Sequence, residues 1–157
     1  VVTGESVKNE KRVPHAWNIV NIDGQPYHLD VTWDIGAIGS SFKRIPYDYF
    51  NLSDQLIIKE HKADTQLPTC SSMQHNYFKV NKRTFWMKSQ AIAYVEKAFQ
   101  DGDTEFYFRI EGRTVASDVA EKIYDQICVF FSKKGITDKK VKRIANDKIG
   151  TCWIKIY

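Results

Sequence analysis

The chain has 157 residues and a mass of 18.2 kDa, enough for one domain or for two small units. Hydrophobic residues make up 43% and charged residues 27%, and Phe 9, Tyr 8 and Trp 4 supply bulk for a core, which excludes a disordered chain. A net charge of +4 and a pI near 8.9 fall short of a dedicated nucleic-acid binder, so no nucleic acid is expected as partner.

The first informative stretch is Pro14 to Asp34, PHAWNIVNIDGQPYHLDVTWD. Two β-rich runs, His15–Ile22 and Tyr27–Trp33, flank Asp23-Gly24, and an Asp-Gly pair in that setting predicts a two-residue type I′ hairpin. Ile22 then pairs with Gln25, and every further pair follows from that register. Asn21 meets Pro26 at a non-hydrogen-bonded position, where the missing N–H of proline is harmless. Gly36 to Ser41 is a loop of small residues. Arg44 to Asp54, rich in Tyr and Phe, is expected to be irregular or a short strand, and the turn-rich Asp64 to Gln74 marks the domain boundary.

Beyond it, Tyr77 to Trp86 is expected to be extended. Ser89 to Gln100 has apolar residues at helical spacing and ends before Gly102; Thr104 to Ile110 alternates as a strand. Ser117 to Ser132 is the strongest helix, with Val119, Ala120, Ile123, Ile127, Phe130 and Phe131 on one face and Gly135 after it. Val141–Asn146 and Thr151–Tyr157 form a terminal hairpin. Lysines and arginines crowd this end, from Lys133 to Lys148, and read first as a solvated face. No apolar run approaches the ~18 residues of a membrane span, so no span is expected.

In the hairpin register Trp17 faces Asp30 and His15 faces Thr32. His15, Trp17, His28, Asp30 and Thr32 therefore share one face, and Trp33 lies on the opposite one. His15 and Asp30 are diagonal neighbours, with Cα atoms roughly 7–8 Å apart. An imidazole whose Nδ1–H is held by a carboxylate keeps its other nitrogen free as an acceptor. That is the base-and-orienter half of a nucleophile–His–Asp triad. The plainer reading is a surface or structural pair.

The segment His15 to Asp34, HAWNIVNIDGQPYHLDVTWD, resembles the His and Asp motifs of the transglutaminase-like superfamily of papain-like cysteine enzymes, and bacterial transglutaminase/protease-like proteins most closely. Val2-Thr3-Gly4 before it, and Tyr49-Phe50-Asn51-Leu52-Ser53-Asp54 followed by His61 after it, are similar to the same family. The resemblance covers Val1 to about Cys70. It implies that His15 is the catalytic histidine and Asp30 the catalytic aspartate, with Trp17 and Thr32 in support. In the family the nucleophilic cysteine opens a helix upstream of the histidine. Cys70, Cys128 and Cys152 match no nucleophile motif, so the chain reads as a fragment without its nucleophile.

The expected fold is α+β: residues 1–74 as the C-terminal half of a papain-like, transglutaminase-like antiparallel sheet, incomplete, and residues 75–157 as a small α/β unit. The expected activity is acyl-enzyme chemistry on carboxamide or peptide bonds, by transamidation or hydrolysis, with this chain alone inactive. The alternative is a non-catalytic bacterial surface protein whose basic C-terminal unit docks an anionic wall polymer. No cofactor is expected. Nor is a metal, since His15, His28, His61 and His75 are dispersed and three cysteines are too few. The partners expected are a protein or peptide substrate and either a second copy or a chain supplying the missing helix. The resemblance alone implies a secreted or surface location in a bacterium.

Overall fold

Asp23 and Gly24 both sit at positive φ, 52° and 78°, as a type I′ turn requires. They join β2 (Lys11–Ile22) to β3 (Gln25–Leu29). The pairs run from Ile22↔Gln25 through Asn21↔Pro26 to Asn18↔Leu29, the register expected from the turn. The computed structural model describes residues 1–8, 10–36 and 46–157. The small-residue loop expected over 36–41 lies, apart from Gly36, outside them, as does the Arg44 end of the following stretch.

The strand expected to run to Trp33 stops at Leu29. Val31–Gly36 is a short helix, α1, and Asp30 is its N-cap. The Asp30 Oδ1 accepts the backbone N–H of Trp33 at 3.0 Å, and the Asp30 carbonyl accepts that of Asp34 at 3.2 Å. The β preference of Val31, Thr32 and Trp33 is weaker than a buried cap that satisfies an otherwise unpaired helix N–H. Thr32 therefore lies exposed on a helix and not opposite His15. The expected cross-strand pairs of Asp30 and Thr32 do not form.

Within Val1–Asn81, the first of two compact units, β1 (Val2–Lys8) pairs with β2 and with β4 (His61–Ala63). The antiparallel order is β3-β2-β1-β4. Leu52 exchanges two backbone hydrogen bonds with His28, at 2.9 and 2.8 Å, and so fixes the 46–53 segment beside β3. A helical turn, α2 (Asp54–Ile57), follows. Tyr77–Val80 is helical (α3) where extended chain was expected, because Asn76 caps it: its side-chain oxygen accepts from the Phe78 N–H. The unit thus ends at Asn81, later than the boundary placed at residue 74.

The second unit, Lys82–Tyr157, holds β5 (Thr84–Phe85), α4 (Lys88–Gln100), β6 (Glu105–Ile110), α5 (Ala116–Lys134), β7 (Val141–Asn146) and β8 (Thr151–Ile156). The sheet order is β5-β6-β8-β7, with β5 parallel to β6 and the rest antiparallel. Its core joins Ala91 and Val95 of α4 to Val119, Ile123 and Ile127 of α5 and to Phe106, Phe108, Cys152 and Ile154 of the sheet. Gly135 ends α5 in the left-handed conformation at φ 66°. Phe130, expected on the apolar face, is 40% exposed. The fold is α+β, and among the described residues no helix is long and apolar enough to cross a membrane.

Gly4 is a point of close backbone approach in the first sheet. It stands opposite His15 on one side and Ala63 on the other, and a Cβ there would collide with the Lys62 carbonyl oxygen. Backbone cannot give way as a flexible side chain would. Gly4→Ala is expected to cost about 1–3 kcal/mol, read as a lower urea midpoint at unchanged m-value.

Candidate active site

β2 carries His15 and Trp17, the β3–α1 junction carries Asp30, and β4 brings in His61 from the other side of β1. The Asp30 carboxylate, 0% exposed, gathers three donors among the described residues. Its Oδ2 lies 2.6 Å from His15 Nε2 and 2.8 Å from His61 Nε2, and its Oδ1 takes the Trp33 N–H. An ionised carboxylate only accepts, so each imidazole presents Nε2–H to it. The nitrogen bound to the aspartate is thus Nε2 and not the Nδ1 expected from sequence, and Nδ1 of His15 is an acceptor with no partner among the described residues. Its side chain keeps 12% of its surface open.

Around this network the rings form a cage. The His61 ring lies 5.1 Å from Trp17, 4.8 Å from Trp33 and 5.4 Å from His15, centroid to centroid. Trp33, expected on the face opposite Trp17, packs in the same cluster because the helical turn after Asp30 swings it round. Neither indole is left uncovered: Trp17 is 2% exposed and Trp33 half-buried. Burial alone would raise the Asp30 pKa, but the hydrogen bonds from His61, His15 and the Trp33 amide outweigh it and leave Asp30 below its ordinary value.

A second His–Asp pair lies in the same unit. Trp17 Nε1–H donates to His28 Nδ1 at 3.0 Å, and His28 Nε2 lies 2.8 Å from Asp54 Oδ1. Cys70 is adjacent: its amide donates to Asp54 Oδ2 at 2.9 Å. Cysteine, histidine and aspartate are thus gathered here, yet the pair cannot act as a base. Both His28 nitrogens are engaged, its pKa is lowered chiefly by burial, and the Cys70 thiol is pushed up to about 11 by burial and the Asp54 charge. His75, close to Cys70 in sequence, instead pairs with Asp23 at 3.3 Å. Cys152 is buried in the core of the second unit, its thiol on the Ala116 carbonyl, and Cys128 is half-buried on α5.

The structure therefore brings His15, Trp17 and Asp30 together and leaves Thr32 outside. It adds His61 and Trp33, which hairpin spacing could not supply. The donor atoms of His15, Asp30 and His61 all lie within 4.8 Å of one another, a metal-ligand set that dispersion along the sequence had argued against. The two nitrogen–oxygen distances are nonetheless those of hydrogen bonds, shorter than the roughly 3.3 Å between ligands around a tetrahedral zinc. A groove of about 500 Å³ between α4 and α5 is lined by Ile92, Val95, Phe99, Ile123 and Phe130, with Glu96 at its side. Among its described lining residues there is no acid–base pair of the kind gathered at His15 and Asp30.

No protein-family model and no curated protein matches this chain.

Asp34, at the end of the same motif, sets a pH dependence. Burial pushes its pKa from 3.8 up to about 7, opposed by the Tyr49 N–H and reinforced by the charges of Asp48 and Asp30. Between those values the folded state holds a proton that the unfolded state has lost, so this group's contribution to stability falls as pH rises from about 4 to 7. Asp30 acts with the opposite sign: its contribution is present above the unfolded carboxylate value and is lost as pH falls below it. Asp34→Asn, which keeps the acceptor for the Tyr49 N–H, should flatten the loss between pH 4 and 7. Its advantage over the parent in urea unfolding should grow with pH toward a few kcal/mol at most, on the order set by the linkage relation.

Proposed function

We propose that this chain carries the base and its orienter from a cysteine-dependent enzyme of the transglutaminase-like kind, which acts on carboxamide or peptide bonds through an acyl-enzyme. The observation that supports it is the 2.6 Å bond from His15 Nε2 to a fully buried Asp30, which leaves His15 Nδ1 without a partner among the described residues. The antiparallel sheet that holds histidine on one strand and aspartate at the end of the next supports a papain-like core.

In this reading the thiol comes from residues outside the chain. His15 Nδ1 takes the thiol proton, and the thiolate attacks the carbonyl carbon of a glutamine or asparagine side chain or of a peptide bond. Collapse of the tetrahedral adduct breaks the C–N bond. The His15 imidazolium returns its proton to the leaving nitrogen and a thioester remains. An amine or water, deprotonated by the same nitrogen, then attacks the thioester and restores the thiol. Asp30 holds the ring through Nε2 and stabilises the imidazolium, while Trp17 and Trp33 exclude water and so strengthen that interaction.

The substrate under this proposal is a protein or peptide, and the resemblance extends the reading to a secreted or surface location in a bacterium. A covering partner, either a second copy or the chain that bears the thiol, is supported by α1. Val31 and Ile35, one helical turn apart, are 43% and 51% exposed. A mass by light scattering that rises with concentration would show the second copy; a constant monomer mass would overturn self-association.

The chain alone is expected to give no iodoacetamide-sensitive hydrolysis or amine incorporation with a glutamine-containing peptide. Turnover would make one of its own cysteines the nucleophile. Joined to a segment that bears the thiol, activity should appear, and His15→Ala or Asp30→Ala should lower kcat on the order of 10³-fold or more. Activity that survives His15→Ala would overturn the assignment.

A further inference from the structure

We propose that His61 is a positioning residue for the His15 base, acting through the shared oxygen of Asp30. The inference rests on the reading of His15 as the proton-transferring group and assigns a role to a residue that hairpin spacing does not reach. Three observations carry it.

First, His61 donates to the same oxygen as His15, at 2.8 Å against 2.6 Å. Rotation of the carboxylate would break both bonds and also the one from the Trp33 amide to Oδ1. The acceptor that orients His15 is thereby fixed from β2, β4 and α1 together.

Second, the His61 side chain is fully buried, and its Nδ1 has no hydrogen-bond partner among the described residues. A buried polar atom without a partner costs free energy that a phenylalanine in the same aromatic cage would not incur. Packing therefore does not account for the imidazole; its one polar contact, the Nε2–H to Asp30, does.

Third, the register brings β4 close on the histidine face. His15 stands opposite Gly4 and His61 opposite Ser6, so on that face the β1 residues beside the two histidines are small, while Glu5 between them alternates to the other face. The hydrogen bond from His61 is also the first among those that keep Asp30 ionised despite its burial.

The test is nitrogen NMR of the full chain labelled in histidine, near neutral pH. The parent should show His15 as the Nε2–H tautomer with a slowly exchanging ring proton. His61→Phe keeps the ring volume and removes the donor. With a dispersed, folded spectrum it should exchange the His15 ring proton about tenfold faster or more, with both tautomers populated. His61→Gln, whose amide can donate from the Nε2 position, should restore the parent pattern. A folded His61→Phe with the parent His15 signals would overturn the proposal. So would a folded His61→Gln that has lost them, which keeps the proposal falsifiable if the phenylalanine variant does not fold. Asp30→Asn separates the two claims: if it leaves the His15 tautomer and exchange unchanged, the His15–Asp30 base itself fails, whatever His61 does.

Discussion

An ionised carboxylate buried without access to water is the constraint on which the first unit depends. Removing such a group from water costs several kcal/mol even after relaxation, and Asp30 has no exposed surface. Three hydrogen bonds to a charged acceptor return roughly 1.5–3 kcal/mol each, enough to offset that cost, and the lowered pKa of Asp30 agrees in direction. Each donor comes from a different element. β2, β4 and α1 must all be in place before the carboxylate is satisfied, so the packing of this unit and the geometry of its candidate site are one problem.

Trp17 links the two histidine pairs and gives them different chemistry. Its indole N–H occupies Nδ1 of His28, which obliges that ring to place its proton on Nε2, toward Asp54. His28 is then a neutral structural connector with neither nitrogen free. The ring of Trp17 meanwhile stacks on His15, centroids 6.4 Å apart, without bonding to it. The His28–Asp54 pair is thus a closed network, whereas the His15–Asp30 pair keeps one nitrogen open among the described residues. The difference is a single N–H, and it tells against Cys70 as a nucleophile more strongly than its loop position does.

The hairpin was legible because everything that specifies it is local. A turn demanding two positive φ angles admits few residue pairs, and Asp23-Gly24 is one of them; the side-chain period of two then carries the register outward. At Asp30 that period of two gives out. Val31, Thr32 and Trp33 have strand preferences, and only the cap formed by Asp30 shows that the chain turns helical there. A side chain able to cap a nearby amide was present as a signal in both places: Asp30, three residues before the Trp33 amide, and Asn76, two residues before that of Phe78. In both places a hydrogen bond worth about 1 kcal/mol outweighed weak propensities. The helices α4 and α5 were legible for the opposite reason: a dozen or more residues of consistent apolar spacing leave little room for competition.

From sequence alone came the turn, the register, the two long helices with their apolar faces, and the membership of His15, Trp17 and Asp30 in one cluster. Each follows from periodicities of two or 3.6 residues that act over short distances. Tertiary structure decided which imidazole nitrogen faces Asp30, that Trp33 joins the cluster while Thr32 leaves it, and that His61 completes it. His61 lies on β4 and reaches Asp30 only because β1 separates β4 from β2 in the sheet. No spacing along the chain encodes that adjacency, since it arises from strand pairing across long loops, where backbone hydrogen bonding and burial choose the neighbour.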